Sequence, residues 1–421
     1  MFSFLHAADI HLDSPLRGLE HFADDFAGQV RGAVRRAFDN LIDLALREQV
    51  AFMLLAGDIY DGDWKDFNTG LYFNQRMTML KDAGIQVFMV SGNHDAASQI
   101  SKSLRLPDNV HHFSARKADS HIMENPGVAI HGQSFAGRFV ADDLSVNYPQ
   151  ALPHLFNIGL LHTALTGREG HEPYAPCSSD GLCARGYDYW ALGHVHKREI
   201  VNREPWIVFP GNIQGRHIRE TGAKGATLVR VADGRVDQVE EVALDVLRWE
   251  LCRIEVTGCD TLSAIYERIR QQLAAVLAAA DGRPVAVRLE LHGHTRAQHQ
   301  LQTQSVGVTE EIRSLALDLG GAGLGLEKVR FNTVATGRLD RLLHRDDALG
   351  GLLRNLQDLD LDAGQLRELE PEIDAFFNKL PPELRAGDDP FDPADADQWQ
   401  QLCDDIRQLL TAQLLTAGDE P

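Results

Sequence analysis

The first 210 residues alternate short apolar runs with helical patterns, and most of the runs end in Asp, His or Asn instead of an ordinary turn. The runs cover residues 2–8, 50–56, 86–91, 156–161, 189–192 and 206–209. Between the first two, Val30, Val34, Phe38, Leu41 and Ala45 recur at helical spacing. Strand-length apolar runs separated by helices define a layered α/β protein. In such folds ligands gather at the carboxyl ends of strands, so the polar residues just past each run are where chemistry is expected.

Five motifs occupy those strand ends in order: Asp9-Ile10-His11, Gly57-Asp58-Ile59-Tyr60-Asp61, Gly92-Asn93-His94-Asp95, His162 after Gly159-Leu160-Leu161, and Gly193-His194-Val195-His196. Each has a bland reading when taken alone. A lone Asp-x-His or His-x-His is more often surface or core than ligand, and one His at a strand end is usually a satisfied polar residue. Gly-Asn-His-Asp is stronger, since Gly permits a tight turn while three polar groups follow an apolar strand. The ordered set favours a site. Two hard divalent cations a few ångströms apart need a charged bridging oxygen, several N or O ligands and open positions. Mixed His, Asp and Asn donors suit Mn²⁺ or Fe²⁺ better than thiolate-bound Zn²⁺ or all-oxygen Mg²⁺. No cysteine lies in a motif, which removes the usual structural zinc. Alternation along an extended chain would aim Asp9 and His11 to one side, and likewise His194 and His196.

The pattern changes near residues 243–248. Residues 249–256 read as a strand, 261–280 as a helix with Leu262, Ile265, Ile269, Val276 and Leu277 on one side, and 285–291 as another strand. This predicts a small α+β domain. From Asp340 the chain becomes helical and acidic, residues 380–397 form a Pro/Asp/Ala-rich linker, and 398–415 place Trp399, Leu402, Ile406, Leu409 and Leu410 on one face. The expected domains are 1–245, 246–338 and 339–421. Net charge is −20, which opposes simple wrapping of nucleic acid. Residues 340–421 hold 20 acidic against 7 basic residues, so most of that charge sits in the tail. Five cysteines without a regular framework, an N-terminus without a basic region and the lack of a long apolar run predict a cytoplasmic chain with reduced thiols and no membrane span.

The five motifs resemble those of the calcineurin-like metallophosphoesterase superfamily over residues 1–242. The resemblance implies a layered α/β/β/α sandwich, followed here by the small α+β domain as a cap and the helical acidic tail. It implies two divalent ions, taken as Mn²⁺. Asp9, His11, Asp58 and His196 would hold one, and Asp58 would bridge to a second held by Asn93, His162 and His194. His94 would not be a ligand but would stand beside the scissile phosphate and protonate the leaving oxygen. Within the superfamily the chain is similar to bacterial DNA repair exonucleases of the SbcD-like and especially YhaO-like kind. The stretches Ala7-Ala8-Asp9-Ile10-His11-Leu12-Asp13 and Pro210-Gly211-Asn212-Ile213-Gln214-Gly215-Arg216-His217-Ile218-Arg219-Glu220, and the C-terminal extension, carry that similarity. It implies DNA as substrate and an SMC-like coiled-coil ATPase as partner, docked by the terminal helix, and leaves a homodimer open. One departure is Asp61, where some relatives carry a His that pairs with the His of Gly-Asn-His-Asp. Asp61 would instead orient His94 and raise its pKa.

Other features have readings of their own. His292-Gly293-His294 has no companions and reads as an exposed turn; His111-His112 and Cys177 with Cys183 read as structural. Three basic clusters (Lys102 and Arg105; Lys197 and Arg198; Arg216, Arg219 and Lys224) read equally as phosphate contacts or solvated charge. Arg216, His217 and Lys197 are the candidates for touching DNA. Two rival functions remain. One is a phosphatase or small-molecule phosphodiesterase with the same metals; Asp61-Gly62 and Asp95 differ from the Asp-Arg-Gly and Asn-His-Glu of the protein phosphatases. The other is a scaffold protein whose hydrolysis is secondary.

Overall fold

The computed structural model describes residues 1–19, 25–61, 67–97, 105–165, 174–335 and 343–357, with 400, 403, 406, 407 and 410 besides. Lys102, Trp399, Leu402, Leu409 and the linker 380–397 lie outside these. Contacts divide the chain into two compact units. The first is Met1–Leu16 with Val30–Arg248, and the second Arg17–Gln29 with Trp249–Pro421. The early segment Arg17–Gln29 thus joins the second unit, an excursion that boundaries drawn along the chain do not contain.

The first unit holds strands β1 (Phe2–Ala7), β2 (Phe52–Ala56), β3 (Gln86–Val90), β4 (Val110–His112), β5 (Asp119–Met123), β6 (Val128–Gly132), β7 (Phe156–His162), β8 (Tyr189–Gly193), β9 (Glu199–Arg203), β10 (Trp206–Phe209), β11 (Gly225–Ala232) and β12 (Arg235–Ala243). They form two sheets, in the orders β12-β11-β1-β2-β3-β4 and β5-β6-β7-β8-β10-β9. All six apolar runs are strands, and they occupy central positions. Strands β1 to β4 are parallel, as are β6, β7, β8 and β10. Antiparallel partners flank them. The registers Ala7↔Leu55, Ala56↔Val90 and His162↔Gly193 bring the carboxyl ends of neighbours level, so the loops after them converge.

The sheets pack face to face because alternate residues of each central strand are large and apolar. Phe4, Phe52 and Phe88 from one meet Phe156, Ile158 and Tyr189 from the other. Phe4 stacks on Phe52 at 5.1 Å between ring centres and meets Tyr189 edge-on at 5.2 Å. Outside the first sheet, helices Ala33–Glu48 and Phe67–Asp82 bury Val34, Phe38, Leu41, Phe73 and Met77 over Leu5, Met53, Leu55 and Val87. Outside the second, the cover is the short turn Leu144–Asn147, the five-residue helix Ser179–Cys183 and loops, which seat Phe135, Tyr148 and Leu182 over Leu161, Trp190 and Leu192. The unit is an α/β/β/α sandwich whose fourth layer, among the described residues, holds only these short elements.

The second unit has a three-stranded sheet, β13 (Arg248–Glu255), β14 (Val285–Thr295) and β15 (Leu324–Ala335), with β14 central and parallel to β15. Helices Leu262–Ala279 and Ser305–Gly320 cover one face around Ile254, Ile265, Ile269, Leu289, Leu291 and Ile312. Thr261 caps the first helix by accepting the Ala264 N–H. One expectation is corrected here. His292-Gly293-His294 is not a turn after the strand but part of β14, paired with Asn332, Thr333 and Val334. His292 is held at its Nδ1, 3.0 Å from Glu255 Oε2. Periodicity missed this because the apolar alternation stops at Leu291 while the backbone pairing continues. Beyond residue 343, the described residues show the helix Ala348–Gln357.

Candidate metal centre

The five motif loops leave β1, β2, β3, β7 and β8, and backbone hydrogen bonds tie them together. Asp9 N–H donates to Gly57 O at 3.0 Å, His11 N–H to Asp58 O at 3.0 Å and Leu12 N–H to Ile59 O at 2.8 Å, so the first two loops run side by side. Asp95 pins the second to the third. Its Oδ1 accepts from Ile59 and Tyr60 N–H at 2.9 Å, and its Oδ2 from Gly92 N–H at 3.2 Å. Asp9 joins the first to the fifth, accepting the His194 N–H at 3.0 and 3.1 Å.

The aiming device differs from the expected strand alternation. β1 ends at Ala7, and Asp9 and His11 both take left-handed backbone, with φ of 50° and 47°. Asp58 at 53° and His194 at 104° do the same. Such conformations cost a non-glycine residue about 1–3 kcal/mol and persist only where the surroundings enforce them, commonly at functional sites. Here the enforcing contacts are the inter-loop hydrogen bonds above.

All seven expected ligands come together. Asp9, His11 and His196 offer donor atoms within 4.8 Å of one another, as do Asp9, Asp58 and His162. Asn93 Oδ1 lies 3.0 Å from His162 Nε2, and the His194 ring packs edge-on at 5.2 Å from that of His162. A third group of the same spread is His11, Asp58 and His94. Ring orientation tests whether these residues fit a cation. His162 gives its Nδ1–H to Ala56 O at 2.8 Å, which leaves the Nε2 lone pair facing Asp58 Oδ2 at 3.5 Å. His196 Nδ1 lies 2.6 Å from Glu220 Oε1, and His196 Nε2 faces His11 Nε2 at 3.3 Å. Imidazole lone pairs converging with buried carboxylates are what a cation requires, and the outer nitrogens are anchored as ligating histidines usually are.

Electrostatics agree. Burial raises the Asp9 pKa to about 6, against the pull of His196 and His162. Burial also opposes charge on Asp58, yet His162, His11 and His94 keep its pKa at about 2. At His162 burial is outweighed by Asp58 and Asp9, which draw a proton to the ring. The same field would draw a divalent ion to that nitrogen.

His94 sits on the first turn of the short helix Asn93–Ala97, and its N–H donates to Asp58 Oδ1 at 2.9 Å. Asp61 Oδ1 lies 3.3 Å from His94 Nδ1, 3.5 Å from His11 Nδ1 and 3.9 Å from Arg216 Nη1. The carboxylate is therefore placed to orient His94. Burial dominates and holds the His94 pKa below the ordinary imidazole value; Asp58 and Asp61 pull it up, so Asp61 acts in the expected direction but does not set the net shift.

Of the basic candidates, Arg216 reaches the site. Its guanidinium is mostly buried between Asp61, Ser14 Oγ at 3.4 Å and Glu220 Oε1 at 3.4 Å. His217 lies 3.6 Å from Glu220 Oε1, and burial lowers its pKa to about 4. Lys197 is exposed. Lys224 is buried and gives its ammonium to His196 O at 3.1 Å, so it supports the fifth loop and is not offered to a phosphate. His111 packs edge-on against Phe113, His112 Nε2 lies 2.9 Å from Ser91 Oγ, and buried Cys177 lies 3.3 Å from Thr163 Oγ1. These serve the scaffold. The supporting roles of two residues escaped the sequence reading, Asp95 and Glu220. Asp95 stood inside a motif, but nothing in its spacing tells that its carboxylate faces backbone. Glu220 had only its odd sign among Arg216, His217 and Arg219 as a signal.

The glycine before His194 has a steric reason. A Cβ on Gly193 would lie 1.9 Å from Ala56 O, the oxygen that also anchors His162. Gly193→Ala is expected to cost at least the ~1–3 kcal/mol of ordinary overpacking, since backbone must move. Denaturant unfolding checks this, and a wild-type midpoint would contradict it.

A sandwich with converging His, Asp and Asn donors at the strand ends defines a candidate divalent-metal centre. Comparison with known families agrees. Residues 2–198 match the calcineurin-like phosphoesterase family, and residues 249–334 match the middle domain of metallophosphoesterase YhaO. An uncharacterized metallophosphoesterase YhaO of Bacillus subtilis is 36% identical over 295 residues, 69% of this chain and 72% of that protein. The DNA double-strand break repair protein Mre11 of Methanopyrus kandleri is 25% identical over 66% of this chain and 64% of its own length. A component of the nuclease SbcCD of Escherichia coli is 20% identical over 54% of this chain and 66% of its own. The chain belongs to the calcineurin-like phosphoesterase family.

Proposed function

We propose that this chain is a phosphodiesterase that hydrolyses DNA with two Mn²⁺ ions. The observation that carries the reading is one site holding the whole donor set, Asp9, His11, Asp58, Asn93, His162, His194 and His196, with His94 and Asp61 beside it. Asp9, His11, Asp58 and His196 would hold one ion, and Asp58, Asn93, His162 and His194 the other. Bound there, the ions supply a nucleophile from water at neutral pH and neutralise charge at phosphorus. Asp61 would keep a proton on His94 Nδ1, so His94 would give its Nε2 proton to the leaving oxygen from the imidazolium form, which Asp58 and Asp61 favour against burial. Arg216 would meet a phosphate, with Lys197 and His217 as outer contacts.

The likeness to Mre11 and to the SbcCD component supports DNA as substrate and an SMC-like coiled-coil ATPase as partner. Residues 1–245 would then be the nuclease, 246–338 a cap and 339–421 the docking segment, in a cytoplasmic protein that is open to homodimerisation. Among the described residues no helix is long and apolar enough to cross a membrane. The test sets Mn²⁺-loaded protein against end-labelled duplex DNA, single-stranded DNA and a chromogenic phosphodiester in parallel. Cleavage of DNA at equal or higher kcat/KM than the chromogenic ester is expected. Turnover of the small ester alone would make the chain a small-molecule phosphodiesterase.

A further inference from the structure

We infer that Glu220 is a positioning residue for the metal centre: its carboxylate fixes the proton of His196 on Nδ1 and so keeps Nε2 as a metal-binding lone pair. The inference rests on the two-metal reading above. Glu220 is buried, with 6% of its surface exposed, and both oxygens are committed. Oε1 lies 2.6 Å from His196 Nδ1, far closer than Arg216 Nη2, which stands 3.4 Å from each of them. Oε2 accepts the Asn212 side-chain amide at 2.9 Å and the Arg216 backbone N–H at 2.7 Å. A carboxylate can only accept, so His196 Nδ1 must carry a proton. The other ring nitrogen, Nε2, is the one that faces His11 Nε2 at 3.3 Å and Asp9 Oδ1 at 4.0 Å.

This geometry makes the isosteric variant informative. In Glu220→Gln the amide oxygen is favoured toward the two closer donors, Asn212 Nδ2 at 2.9 Å and the Arg216 backbone N–H at 2.7 Å, over Arg216 Nη2, which lies 3.4 Å from Oε1. The NH₂ group then points at His196 Nδ1 and donates to it. The His196 proton moves to Nε2, and the ligand is lost although no ligand was changed. His162 is insulated from this, since its Nδ1 is anchored by Ala56 O.

The experiment titrates full-length Glu220→Gln, Asn212→Ala and wild-type protein with Mn²⁺ alone, by calorimetry. For Glu220→Gln one of two sites is expected to weaken by about 10–100-fold, the range for outer partners of metal-binding histidines. The other site should stay within about threefold, as should both sites of Asn212→Ala, which keeps the Glu220–His196 contact. Equal losses in the two variants would mean that Glu220 merely holds the loop, and unchanged affinity in folded Glu220→Gln would equally overturn the inference. Should that variant not fold, ¹⁵N NMR of metal-free wild type reads the tautomer directly. A proton on His196 Nδ1 is expected, and a proton on Nε2 contradicts the proposal. Wild type that binds no Mn²⁺ would defeat the two-metal reading itself, while the tautomer measurement still tests the Glu220 contact.

Discussion

His94→Gln should lower kcat by roughly 10²–10⁴-fold, the loss typical of a missing general acid, while two metal ions per chain remain bound. Glutamine keeps the size and the backbone N–H that donates to Asp58 Oδ1, so the loop between β3 and its helix stays in place. It lacks a proton that can be given to a leaving oxygen. The two readings of His94 differ in what happens to the metal. The ring belongs to one of the convergent groups, with His11 and Asp58, so a ligand role has a geometric basis of its own. Loss of a metal from the variant would place His94 among the ligands. An unchanged kcat would show that the leaving oxygen needs no help from this ring. A substrate with a good leaving group should separate these, since it needs no acid and should recover most of the rate.

Asp58→Asn should abolish activity by removing metal. Its effect on affinity is expected to exceed the ~100-fold seen when only an outer partner is lost. Asp58 is buried, with Oδ1 on the His94 N–H and Oδ2 3.5 Å from His162 Nε2. Its carboxylate stands between the two proposed ligand sets, and asparagine is neutral there. The effect on folding has the same sign. Burial opposes the charge, but His162, His11, His94 and the His94 N–H outweigh it and hold the Asp58 pKa at about 2, below the ordinary carboxylate value, so its charge is net favoured in the folded chain. A carboxylate with a depressed folded pKa contributes stability above its unfolded pKa, and asparagine loses that contribution. The metal-free variant should therefore melt below the metal-free wild type at neutral pH, and the rise on adding Mn²⁺ disappears. A variant that still gains the full wild-type rise from Mn²⁺ would remove Asp58 from the bridging position.

How much of this was legible in sequence follows from what each residue does. Central parallel strands are buried on both faces and read as continuous apolar runs, so β1, β2, β3, β7, β8 and β10 stood out. The edge strands did not. β5, β9 and β12 are half-exposed and carry Asp119, Glu199, Arg235, Asp237, Glu240 and Glu241, so no apolar run marks them. The candidate ligand set was legible because its members follow those central strands in order. Their orientation was not, because left-handed turns at Asp9, His11 and Asp58 replaced the alternation a strand would give. The supports Asp95 and Glu220 act across 24 to 36 positions, and such pairings are set only by the folded loops. The segment Arg17–Gln29 belongs to a unit whose remainder begins at Trp249, a connection that no local pattern announces.

The most direct test of the central claim counts metal against activity in one preparation. Chelator-treated protein is titrated with Mn²⁺ while bound ion and phosphodiester hydrolysis are followed together. Two ions per chain should bind, activity should be absent in chelator, and it should rise with occupancy of the second site. Full activity in chelator, or saturation at a single ion with full turnover, would contradict a two-metal centre built from Asp9, His11, Asp58, Asn93, His162, His194 and His196.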